Sequence, residues 1–132
     1  MQASTTWVTE DRFVGVATSG HAIVVDASQV KLGSSPIELI LIGLCGCTAS
    51  DVSTILRKKR ESWTLLEVHA LAERAPEPPC VFTAIKLLYR VSSSVSHKSM
   101  EDAVRFSEEK YCSVAQMLGK TAKITAEIEY VD

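Results

Sequence analysis

The sequence predicts an α+β domain of order βββ-α-ββ-α-β, on three observations. Strand-like runs come in groups instead of alternating singly with helices, which argues against an alternating parallel sheet. One long, almost uncharged helical stretch, residues 35–60, lies between two such groups. The chain then closes on a clean period-two pattern at 121–131. There Ala122, Ile124, Ala126, Ile128 and Tyr130 share one face, and Lys123, Thr125, Glu127 and Glu129 the other. With 132 residues and no internal repeat or linker, residues 1–132 read as a single domain.

Residues 5–9, 13–18 and 22–26 are short β-leaning runs punctuated by Glu10-Asp11 and Ser19-Gly20-His21, which predicts a three-stranded antiparallel meander. A loop then leads to the long helix. Pro36 suits its first turn, Ser35 can cap it, and Glu38 meets the positive end of the helix dipole. Arg57, Lys58, Lys59 and Arg60 meet the negative end. Only Asp51 breaks the uncharged middle, so the helix is expected to be buried on most of its faces. That middle is shorter than the roughly 20 apolar residues a bilayer needs.

Residues 64–74 predict a strand with Leu66, Val68, Ala70 and Ala72 inward. The proline-rich run 75–80 is a loop, because proline cannot donate within a ladder. Residues 81–91 form a second strand, with Val81, Thr83, Ile85, Leu87, Tyr89 and Val91 on one side and Lys86 and Arg90 on the other. A serine-rich break follows. A helix is expected to start at Ser99, on the pattern S-x-x-D, and to run through Tyr111. After Cys112 comes a further short helix ending at Gly119.

A hydrophobic fraction of 46% with 23% charged residues is that of an ordinary globular chain, and a net charge of −2 offers no attraction to nucleic acid or an anionic membrane. The N-terminus shows no secretory signal pattern, so a cytoplasmic, reducing setting is expected. The four cysteines form no C-x-x-C and no metal-type spacing with the three histidines, so no metal or cofactor is expected.

Spacing separates the helix thiols. Cys45 and Cys47 stand about 200° apart around a helix. Cys45 shares its face with Leu41, Ala49, Val52 and Leu56; Cys47 shares its own with Ile40, Gly43, Ser50, Asp51 and Thr54. A cysteine in a core helix is most simply a small buried hydrophobe, and Cys45 keeps that reading. Cys112 lies at a helix junction, where free N–H groups of the next turn are expected to lower a thiol pKa. Cys47 and Cys112 are therefore candidates for a peroxide-reactive pair, one thiol becoming a sulfenic acid and the other closing a disulfide on it.

The run SPIELILIGLCGCTASDV resembles the signature helix of the OsmC/Ohr family, the osmotically inducible and organic-hydroperoxide-resistance proteins, in which the reactive cysteine follows the proline by eleven residues, as Cys47 follows Pro36. Cys112 in EKYCSVAQML matches the second family cysteine, and the CGCTASDV and YCSVA variants point within the family to its YhfA-like subgroup. The resemblance covers essentially the whole chain. It implies an intertwined homodimer, with sheets formed by strands of both chains around two long central helices. It further implies thiol-dependent reduction of organic hydroperoxides in oxidative or osmotic stress, with a hydroperoxide and a thiol reductant as small-molecule partners. The implied site is Cys47 and Cys112, supported by Arg12 and Glu38. Two departures stand out. Hydroperoxide-reducing members carry glutamate directly after the proline, where this chain has Ile37, and Glu38 points about 100° away around the helix. Members with proline after the second cysteine differ from this chain, which has Ser113 there; the N-terminal-strand arginine that pairs with the glutamate in such members can only be Arg12 here. An alternative function is a dimeric small-molecule-binding or redox-sensing protein of the same fold, without efficient turnover.

Overall fold

A computed structural model describes all of residues 1–132. The chain divides into two compact units, Met1–Ile42 and Gly43–Asp132. In the first, β1 (Ala3–Thr9), β2 (Arg12–Ala17) and β3 (Ala22–Asp26) form the expected antiparallel meander in the order β1-β2-β3. Trp7 stands opposite Phe13, and Phe13 opposite Val25. Gly20 takes the left-handed conformation the β2–β3 turn requires, with φ +82°.

Asp26 organises the loop after β3. Its buried carboxylate accepts hydrogen bonds from the backbone N–H groups of Leu32 (2.7 Å) and Ser28 (2.9 Å), from the Ser28 hydroxyl, and from Arg12 Nε (3.0 Å). These bonds hold it well below the usual carboxylate range, the Leu32 N–H contributing most. Helix α1 (Pro36–Lys58) then starts with a capping box: Ser35 Oγ accepts from the Glu38 N–H (3.3 Å), and Glu38 Oε1 accepts from the Ser35 N–H (2.9 Å).

In the second unit, β4 (Leu66–Arg74), β5 (Phe82–Ser92) and β6 (Lys123–Val131) form a sheet with β5 at its centre. β4 and β5 make the antiparallel hairpin over the proline-rich loop, whose Pro78–Pro79 bond is cis. β6 runs parallel to β5, a pairing that needs a long crossover. That crossover is helical: α2 (His97–Phe106), a π-helical turn (Ser107–Tyr111) and α3 (Ser113–Leu118). One parallel crossover is thus present in an otherwise α+β arrangement. Leu44, Val52 and Leu56 of α1, Ile85, Leu87, Tyr89 and Val91 of β5, and Met100 and Ala103 of α2 are all buried in the core. Lys59 pairs with Asp102 at 3.0 Å, tying the end of α1 to α2.

Three expectations change. In β5 the buried residue is Phe82, while Val81 and Thr83 are exposed. Arg74 pairs with Phe82 but Glu73 with Ala84, so a bulge at Thr83 reverses the alternation. Helix α2 is capped by Ser96, whose Oγ accepts from the Ser99 N–H at 3.2 Å, and so begins earlier than Ser99. Helix α1 buries only the stripe Leu44, Thr48, Val52 and Leu56, leaving Ile40 and Ile42 exposed. By length and composition alone α1 could cross a membrane, with 23 residues and a mean hydropathy of 1.8 in its most apolar window. Its central Asp51 is instead hydrogen-bonded to α2's continuation, and its buried stripe belongs to the core.

Candidate thiol site

The π-helical turn builds the site. An α-helix carried on through Tyr111 would repeat at 3.6 residues. The extra residue of the π turn instead sends the Cys112 N–H to the Ser107 carbonyl at 2.8 Å, an i to i+5 bond. Ser107, at the start of the turn, and Cys112, just after it, are both fully buried. Ser107 Oγ donates to Asp51 Oδ2 at 2.9 Å, fixing the one acidic side chain in the middle of α1. Cys47 lies one turn before Asp51, and residues four apart share a helix face. The Sγ atoms of Cys47 and Cys112 and a carboxylate oxygen of Asp51 thus lie within 4.8 Å of one another.

Cys112 is also the N-cap of α3, and its Sγ accepts from the Ala115 N–H at 3.3 Å. That bond lowers the thiol pKa, as expected of a helix start, but it does not decide the outcome. Burial, then the hydrogen bond to Cys47, with the charge of Asp51 adding, push the Cys112 thiol up to about 12. Cys112 is therefore a proton-bearing thiol beside Cys47, contrary to the expected lowering.

Near Thr48 and Cys112, the Tyr89 hydroxyl is buried without a hydrogen-bond partner, and burial raises its pKa well above the ordinary value. Thr48 is near enough to moderate that rise, yet its own hydroxyl bonds the carbonyls of Leu44 and Cys45. A cleft of about 270 Å³ opens beside Asp51, lined by Thr54, Ile55, Lys58, Phe106 and Tyr111.

Cys47 and Cys112 come together. Arg12 and Glu38 make their polar contacts within the N-terminal unit: Arg12 with Asp26, Glu10 and the Val30 carbonyl, Glu38 with Ser35. Cys45 is half-buried, with its thiol pKa raised by burial, and Cys80 sits in the proline-rich loop, where its carbonyl accepts from Arg74 Nε at 2.8 Å. All four cysteines are free thiols. Asp51 and Ser107 were not expected in the site. The signal for Asp51 was its position four residues after Cys47 in an otherwise uncharged helix, whereas Ser107, 56 positions further on, left none.

Comparison with known proteins identifies the family. The family model described as OsmC-like protein matches residues 28–127. Protein YhfA of Escherichia coli (strain K12) is 40% identical over 132 residues, covering 99% of this chain and 98% of that protein. The crystal structure of an OsmC-like protein from Mycoplasma pneumoniae superposes with a TM-score of 0.86 at 17% identity, over 99% of this chain and 96% of that one. The organic hydroperoxide resistance protein OhrB of Bacillus subtilis superposes with a TM-score of 0.66 at 12% identity, over 98% of each chain. At these identities the two structures speak for the fold alone, while the family match and the YhfA relationship span most of the chain. The chain belongs to the OsmC-like protein family.

Proposed function

We propose that this protein is a thiol-dependent peroxidase-like protein, acting on organic hydroperoxides as one OsmC-like domain within a homodimer. The observation that carries this reading is the juxtaposition of a partly exposed Cys47 with a buried, proton-bearing Cys112. In this reading Cys47, the more exposed of the two, is the attacking thiol, and the buried, proton-bearing Cys112 is its resolving partner. The Cys47 sulfur attacks the terminal peroxide oxygen, the O–O bond breaks, and the alkoxide leaves and is protonated to the alcohol. Cys47 is then a sulfenic acid. The Cys112 sulfur attacks it, forming the S–S bond and releasing water with the Cys112 proton. A thiol reductant supplies the two electrons and two protons that restore the pair. The cleft beside Asp51, with Ile55, Phe106 and Tyr111, offers apolar surface for the organic group. The hydroperoxide-resistance name of the Bacillus subtilis protein supports the same class of substrate.

The dimer has support within the chain. A Cβ built at Gly43 or Gly46 would meet nothing within 4 Å, so nothing in the chain itself requires glycine at either position. A second copy of α1 packed closely there would require it.

A second reading, a binding or redox-sensing dimer without efficient turnover, has its own observation. Ile37 replaces the family glutamate, Glu38 is held in the capping box, and Arg12 is held by Asp26. One experiment separates the two. One equivalent of cumene hydroperoxide added to reduced protein, followed by mass mapping of thiols, is expected to give a Cys47–Cys112 disulfide, and the Cys112→Ser variant a sulfenic then sulfinic Cys47. Under excess hydroperoxide, two reduced thiols in folded protein would favour the binding protein. Ile37→Glu is expected to raise the rate if Arg12 serves the thiolate.

A further inference from the structure

Three side chains able to carry negative charge, Cys47, Asp51 and Cys112, converge within 4.8 Å, and no lysine or arginine forms an ion pair with Asp51. Lys58 lines the adjoining cleft without pairing to it. With Cys112 holding its proton the set is tolerated as it stands, and a cation that takes the place of that proton would turn the same three convergent side chains into donors. We propose that Cys47, Asp51 and Cys112 form a binding site for a thiophilic divalent cation of the zinc type, with a fourth position open to water or an external ligand.

The chemistry of the donors fits that class. Two thiolates and one carboxylate suit a borderline-soft ion, and three protein ligands with an open fourth position make a tetrahedral site. With metal–sulfur distances near about 2.3 Å and metal–oxygen distances near about 2.1 Å, tetrahedral angles place the donors about 3.5–3.8 Å apart. Donors that already lie within 4.8 Å of one another therefore need to close by at most about 1 Å, a side-chain adjustment. The outer contacts are already those a metal site uses. Ser107 Oγ holds Asp51 Oδ2 and leaves the other oxygen to coordinate, and the Ala115 N–H supports the Cys112 sulfur. Binding displaces the Cys112 proton and leaves both sulfurs as thiolates on the ion. Spacing in the sequence could not reveal this site, because one ligand comes from a distant segment. The proposal uses the same thiols as the peroxide reaction but stands without it.

Cobalt(II) is the probe. Added to the protein kept reduced by a non-thiol reductant in the absence of oxygen, it is expected to bind one-to-one. The thiolate-to-cobalt charge-transfer band and the visible bands of a four-coordinate ion should appear, and zinc should displace it. Ser107→Ala should weaken binding about 10–100-fold, as loss of an outer contact does, and Asp51→Asn at least as much. Cys45→Ser and Cys80→Ser should change nothing. Circular dichroism of each variant guards against misfolding, and zinc should raise the melting temperature of the unaltered protein but not of Cys47→Ser. The proposal is overturned if cobalt gives no charge-transfer band, if the band survives unchanged in Cys112→Ser, or if Asp51→Asn binds as tightly as the parent. Cobalt binding with inert thiols toward peroxide would retain the site and discard the peroxidase.

Discussion

The two three-stranded sheets are built from different kinds of sequence. The β4–β6 sheet has one face of Ile85, Leu87, Tyr89 and Val91, fully or almost fully buried, and another laced with ion pairs. On that outer face Arg90 bonds Glu67 at 2.9 Å and Glu129 at 3.4 Å, and Lys86 bonds Glu127 at 2.9 Å. The β1–β3 sheet buries no large apolar side chain. Trp7 and Ile23 stand exposed on one face and Val8, Val16 and Val24 on the other, with Val30 and Leu32 exposed in the loop beyond. Water suits the first sheet's outer face and neither face of the second. Large exposed apolar surface of this kind marks an interaction site, which is the physical content of the proposed dimer: the β4–β6 unit carries its own core, and the β1–β3 sheet awaits one.

The largest effect should therefore come from charging the N-terminal sheet. Ile23→Glu and Val24→Glu place a carboxylate on opposite faces of the same strand. Within a single chain each side chain is about half exposed, at 49% and 46%, and would tolerate the change. If a second copy covers the sheet, the substitution on the covered face buries an unpaired charge and should cost about 3–5 kcal/mol of assembly. Sedimentation at low micromolar protein should show one dimeric species for the parent and dissociation for that variant. A parent that sediments as a folded monomer would remove the dimer from the proposal.

The same contrast explains what was legible in the sequence. Alternation in β6 and the Ser35–Glu38 signal at the start of α1 are local, and both were readable. The phase of β5 was not, because the bulge opposite Glu73 and Arg74 is a property of the pairing and not of either strand. Ser96 and Ser99 are equally good caps by type, and packing chose the first. The thiol pair was legible through resemblance. Asp51 was legible only as a member of the Cys47 face; Ser107, which fixes it, was not, because nothing in the sequence shows the π turn that brings it there. The Cys112 pKa was misjudged because a helix start is visible in sequence and burial is not.

A smaller effect separates the units by pH. The Asp26 carboxyl is held below its ordinary value of 3.8, so the unfolded chain takes up its proton first on acidification. Its contribution is present above about pH 4 and is lost as pH falls further. Asp26→Asn should be less stable than the parent at pH 7 and should show a shallower loss between pH 4 and pH 2. Urea midpoints followed by Trp7 fluorescence in a Trp63→Phe background would measure this. Parallel acid profiles for parent and variant would show that Asp26 does not hold the loop.

The smallest effect should come from the outer face of the β4–β6 sheet. Leu71 is 72% exposed, more than Ile23, and by exposure alone it is the stronger candidate for a hidden interface. Its neighbours argue otherwise. Leu71 stands opposite Lys86, on a face that also carries the half-buried Leu88 but is dominated by paired charges. Leu71→Glu adds an opposite charge across the strands, a pairing that contributes favourably by tenths of a kcal/mol. The variant should remain dimeric, with stability within about 0.5 kcal/mol of the parent, the range of an ordinary surface change. Damage from Leu71→Glu equal to that of the disruptive β3 substitution would mean that both sheets are covered in the assembly. A lone exposed leucine among paired charges would then be as much an interface residue as the apolar faces of β1–β3.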